Sequence, residues 1–208
     1  TRRSSISVQT LQRSRRKEVM RVLLTGFEPF GGEFINSSQE TVKAVSCDEI
    51  DIVRRILPVS FKRSGRAICE FIDDTKPDVV IMLGQSGKSD CIKIERIAVN
   101  MMDAKKPDND GYTPDEESII SDGPSAYFSS FSVKYLRNQL DINGIPAKVS
   151  NSAGLYVCNA AYFNALHHIS ILGKEIKAVF VHLPKMSEQW PLKKLQNAVE
   201  QLILATIS

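Results

Sequence analysis

Among four cysteines and three histidines, one of each sits where a strand gives way to a turn, and that pair could carry out nucleophilic chemistry. Cys158 follows the strand-like run Ala147 to Ser150 and the small-residue turn Asn151-Ser152-Ala153-Gly154, in the first turn of a helix expected to begin near Val157. A helix N-terminus has partial positive charge and free N–H groups, which stabilise a thiolate and can hold an oxyanion. The alternative is a small hydrophobe packed in the core. A thiolate nucleophile needs a proton carrier for the leaving amine. His182 lies at the C-terminal end of the expected strand Ala178 to Leu183, whereas His167 and His168 fall inside a helical stretch. Its alternative is a hydrogen-bonded structural histidine. The third member of such a system orients the imidazole, and Glu95 is the best candidate. It is an acid among Ile92, Ile94, Ile97 and Val99, and a buried carboxylate needs a partner. Arg96 would point to the opposite face of a regular strand and does not easily serve, whereas a hydrogen-bonded His182 could.

A second feature is the loop Gly26-Phe27-Glu28-Pro29-Phe30-Gly31-Gly32. It follows a strand as a phosphate-binding loop would, but it has neither GxGxxG nor GxxxxGK[ST]. Two phenylalanines on a Pro/Gly loop suit a flat, uncharged, partly apolar ligand, unless both rings simply pack into the core.

The elements that must position these residues alternate. A buried strand ends at Gly26, and a helix follows through Val45, with Ser37 and Glu40 spaced as a capping box. A strand spans Ile52 to Val59, a helix carries Ala67, Ile68, Phe71 and Ile72 on one face, and the run Val79 to Ile81 leads to Gly84. This β-α-β-α-β order predicts an α/β fold with a mostly parallel, doubly wound sheet, whose ligands gather at the carboxyl ends of the strands. Cys91 to Asn100 reads as one alternating strand. Residues 103–124 form a loop rich in Asp, Pro and Gly, long enough to suggest function. Val133, Leu136 and Leu140 mark a helix stopped at Gly144, and Leu192 to Ile203 forms a last amphipathic helix.

Composition excludes several classes. The 208 residues suit one core, and no run of about 18 apolar residues could span a bilayer. The charge of +3 comes from residues 1–19, where six basic residues face Glu18 alone, so the remainder is slightly acidic. Neither a nucleic-acid nor a membrane partner is expected. Met20 reads as the natural start, with 1–19 a basic extension, disordered or added upstream, and 20–208 a single catalytic domain. Cys47, Cys69, Cys91 and Cys158 have no CxxC or zinc-finger spacing, so free thiols, no metal and a cytoplasmic location are expected.

The segments Thr25 to Gly32 with Asn36, Glu95 to Asn100, Pro107 to Asn109, Gly123 to Phe128, Ser152 to Asn159 and Val181 to Pro184 together resemble pyroglutamyl peptidase I, a cysteine peptidase family. The resemblance runs from Met20 to the C-terminus. It implies a Glu95, Cys158, His182 triad on a three-layer α/β/α sandwich, a lactam ring held between Phe27 and Phe30, and Asn36 and Gln85 in the polar surroundings of the substrate. It further implies an intracellular, cofactor-independent homotetramer that removes N-terminal pyroglutamate from peptides through a thioester. Lys105, Leu155, Lys88 and Ser37 depart from the commoner family pattern. Lys105 matters most, because lysine lacks the planar bidentate fork of arginine. The rival readings are a noncatalytic pyroglutamate-binding protein of the same fold, a phosphorylase-like enzyme, which the acids Glu28 and Glu33 on the loop oppose, and a redox thiol, which lacks a nearby resolving cysteine.

Overall fold

Three apolar runs make the centre of the sheet, and each alternates between two helical layers. In the computed structural model, which describes residues 19–48, 50–87 and 89–207, β1 (Arg21–Phe27), β2 (Asp51–Leu57) and β3 (Val79–Ser86) are parallel in the order β2-β1-β3. α1 (Ser37–Ala44) and α2 (Phe61–Thr75) make the two crossovers. β8 (Lys177–Pro184) adds parallel to β3, β4 (Ile92–Glu95) runs antiparallel to β8, and β7 (Ala147–Ser150) pairs parallel with β4 at the edge. Val22, Ile81 and Val181 pack on one side with α1, α3 (Val133–Ile142) and α5 (Leu192–Ile207). Leu23, Val80 and Phe180 pack on the other with α2 and α4 (Val157–Leu172). The result is the expected three-layer α/β/α sandwich on a mostly parallel sheet.

The strand expected from Cys91 to Asn100 divides at Arg96. β4 stays in the main sheet, while β5 (Ile97–Val99) leaves it to pair with β6 (Ala126–Phe128). The reason lies on α4: the buried Asn159 amide accepts from Val99 N–H at 3.0 Å and donates to Val99 O at 2.9 Å and Met101 O at 3.0 Å, holding this backbone away from the sheet.

A second difference concerns the start of α1. Its N-cap is Asn36, whose Oδ1 accepts from Ser38 N–H at 2.9 Å, so the capping box expected at Ser37 and Glu40 does not form. Glu40 pairs instead with Lys43 at 2.8 Å. The expectation for residues 1–19 lies outside the described residues except at Val19, as does Lys88.

Candidate active site

Cys158 is the second residue of α4, whose cap residue Tyr156 gives the first turn no side-chain acceptor. The first N–H groups of a helix have no intrahelical partner, so Val157 and Cys158 present donors beside the thiol. Gly154, at φ +81°, makes the turn from β7 into this helix in a conformation that few other residues adopt. His182 stands near the end of β8, almost buried at 8% exposure, and its Nδ1 lies 2.8 Å from Oε1 of Glu95 on the neighbouring β4. Glu95 has no exposure at all.

Burial lowers the pKa of the imidazole, but hydrogen bonding and charge from Cys158 and Glu95 outweigh this and raise it to about 9. With Nδ1 committed to Glu95, Nε2 is the nitrogen left for Cys158. Burial pushes the Cys69 thiol up to about 11 and raises Cys47 and Cys91, keeping all three protonated at neutral pH. All four cysteines are free, as the sequence suggested. His167 is engaged by Tyr127 at 2.8 Å and His168 by Asp73 at 2.9 Å, both away from Cys158.

Beside Cys158 opens a narrow slot lined by Phe27, Phe30, Asn36, Gln85, Val59 and Tyr156. The structure thus gathers the four sequence-predicted binding residues at the predicted nucleophile. Phe27 packs on Phe180 at 6.3 Å between ring centroids, and Phe30 on Tyr156 at 6.2 Å. Asn36 donates to Glu28 O at 3.0 Å, and Gln85 accepts from Ser37 N–H at 2.7 Å while donating to Glu33 at 3.1 Å. Both amides therefore build the slot as well as face it. Lys105 is exposed and lines an adjoining groove with Leu155, outside the slot. A larger groove near Cys47, between Met20 and Ile207, contains none of these residues.

Sequence reasoning missed the residues that hold the loops. Glu28 accepts from Val59 N–H and from Asn109, each at 3.0 Å, and Asp108 accepts from Phe61 N–H at 2.8 Å. Tyr156 donates to Pro107 O at 2.9 Å, and Glu33 forms an ion pair with Lys185, which lowers the Glu33 pKa. The Pro107-Asp-Asn109 segment was visible as a motif, but its partners were not, since they lie some 47 to 81 positions away in the chain.

The sequence model of the family described as pyroglutamyl peptidase matches residues 20–207. The chain belongs to that family. It is accordingly a hydrolase, a cysteine exopeptidase for N-terminal pyroglutamyl residues. The pyrrolidone-carboxylate peptidase of Thermococcus onnurineus is 47% identical over 173 residues, 82% of this chain and 86% of that protein. The enzyme of the same name from Bacillus licheniformis is 42% identical over 195 residues, 90% and 91% of the two chains. Among solved structures, the pyrrolidone carboxyl peptidase from Thermococcus litoralis superposes with a TM-score of 0.87 at 36% identity, covering 91% of this chain and 94% of that one.

Proposed function

We propose that this family member performs its hydrolysis with Cys158 as nucleophile, His182 as proton carrier and Glu95 as the carboxylate that orients it, and that the slot beside Cys158 holds the lactam. The observation that carries this reading is the 2.8 Å bond between buried Glu95 and Nδ1 of His182, with Cys158 as the other partner of the imidazole. The Cys158 thiolate attacks the pyroglutamyl carbonyl carbon, and the oxyanion is met by the free N–H groups of Val157 and Cys158. Protonated His182 then donates to the departing amine as its C–N bond breaks, leaving a thioester. Neutral His182 next takes a proton from water, whose oxygen attacks the thioester. Pyroglutamate leaves, and the proton returns the Cys158–His182 pair to its starting state.

The slot suits a residue without a free amine. Its floor and walls are the rings of Phe27, Phe30 and Tyr156 with the amides of Asn36 and Gln85, and it contains no carboxylate to pair an ammonium. Gln85 retains a second N–H beyond the one given to Glu33, available to a lactam carbonyl. Homotetrameric assembly and a cytoplasmic location belong to the same reading. Assembly is supported by Phe34, 97% exposed beside the Gly-rich loop, and by Ile35 next to it. Sedimentation would test assembly.

Release of a fluorophore from a pyroglutamyl amide tests the chemistry, with a prolyl amide as control. Turnover of the first only, abolished by Cys158→Ala and reduced at least about 10²-fold by His182→Ala, is expected. Binding of pyroglutamate without turnover by the wild type would instead favour a noncatalytic protein.

A further inference from the structure

Cys158 and Tyr162 lie one turn apart on the same face of α4, and Phe180 and His182 lie two residues apart on the same face of β8. The helix packs on the strand so that Cys158 acts on His182, while the next turn brings the Tyr162 ring to 5.6 Å from Phe180. Glu95 is directly opposite Phe180 across the antiparallel β4/β8 ladder, and directly opposed residues project to the same face. Tyr162 and Glu95 therefore converge from two layers on one buried spot.

Each brings an unused polar atom. Tyr162 is fully buried, and its hydroxyl, with the Ser129 side chain and the Phe180 backbone near it, reaches no hydrogen-bond partner at bonding distance among the described residues. Oε1 of Glu95 serves His182, but Oε2 is buried and likewise unpartnered. Burial raises the Tyr162 pKa and outweighs the lowering contacts from the Ser129 side chain and the Phe180 backbone, with the Glu95 charge adding to the rise, so the phenol keeps its proton and remains a donor. An ionised carboxylate offers acceptors only, which makes the two atoms chemically complementary.

We propose that Tyr162 is a positioning residue for the reaction: its O–H serves Oε2 of Glu95 across one internal water, and so fixes the carboxylate that aims His182 at Cys158. A carboxylate held at one oxygen can swing about that bond, whereas one held at both cannot. The inference rests on the roles proposed for Glu95, His182 and Cys158.

Tyr162→Phe removes only the hydroxyl and keeps the ring against Phe180. The expected result is a fall of about 10-fold in kcat with little change in KM, an unchanged or raised melting temperature, and an upfield shift of the His182 Nδ1–H proton resonance. In a Glu95→Gln background the same substitution should cost less than about 2-fold. An unchanged rate and resonance in Tyr162→Phe, with the wild type active, overturn the inference. So does an equal loss in both backgrounds, which would mark a packing role. If the wild type itself showed no turnover, the proposed function would fail, while the resonance would still report whether Tyr162 governs the Glu95–His182 bond.

Discussion

Replacing Gly84 with alanine adds one methyl group, and its position can be worked out from the backbone. Gly84 on β3 pairs with His182 on β8, and its missing Cβ faces α4. A carbon built there would lie 2.8 Å from Cζ of Phe180 and 3.0 Å from the Sγ of Cys158. Ordinary contacts begin near about 3.5 Å, so each neighbour must retreat by roughly 0.5 to 0.7 Å. Phe180 has nowhere to go, since its ring is enclosed by Phe27, Tyr162 and His182 at 6.3, 5.6 and 4.9 Å and has no exposure. Much of the displacement then falls on the thiol. A misplacement of about 1 Å at a reacting atom can cost about 10²-fold, so Gly84→Ala should lower kcat/KM by roughly 10- to 100-fold. Overpacking of this kind costs about 1 to 3 kcal/mol, and about 2 kcal/mol corresponds to a melting temperature lower by about 4 to 8 °C in a chain of this size. Steady-state turnover of a pyroglutamyl amide alongside thermal melts would measure both. Wild-type kcat/KM in a variant with unchanged melting would refute the claim that this glycine makes room for the nucleophile.

Three further outcomes follow from the same geometry. Near neutral pH, Cys158 should be the first thiol alkylated by iodoacetamide, with Cys69 slowest because burial pushes it up to about 11; prior labelling of Cys47 or Cys91 in peptide mapping would contradict the assignment. The raised His182 pKa makes folding take up a proton, so that contribution to stability is complete below about pH 6.5 and lost as pH rises through about 9. Urea melts should show stability declining across that window, and Cys158→Ser should flatten the decline; an identical slope in the variant would show that Cys158 does not govern the imidazole. Asn159→Ala breaks three hydrogen bonds to Val99 and Met101 and should cost at least about 2 kcal/mol, measured by urea unfolding. A cost under about 1 kcal/mol would mean that another contact holds β5 out of the main sheet.

The parts of the site legible in the sequence are those where a local pattern conflicts with itself. Glu95 stood out because an acid interrupts an apolar run, and Cys158 because a small-residue turn precedes a helix. The alternating layers were readable for the same reason, since apolar runs of the right length separate cleanly from helical periods. What was not legible depends on partners distant in the chain. Nothing in the alternation of Ile92 to Val99 reveals that Asn159 will capture Val99, so one expected strand became two in different sheets. Ser37 looked like the cap, yet Asn36 takes that place, where Glu28 O and Gln85 reach the same turn from elsewhere in the chain. Tyr156 and Val59 enter the slot from loops whose paths are set by Asp108, Asn109 and Pro107.

The small size of the slot carries a meaning for the kind of protease this is. The start of α1 at Asn36 and the Gln85 side chain bonded to Ser37 form part of its lining beside Cys158. On the proposed reading the lactam fills this slot and leaves no room for a residue ahead of it. The slot then acts as a ruler of length one: only the amide that follows a terminal pyroglutamyl residue is brought to the thiol, and the interior bonds of other proteins are passed over.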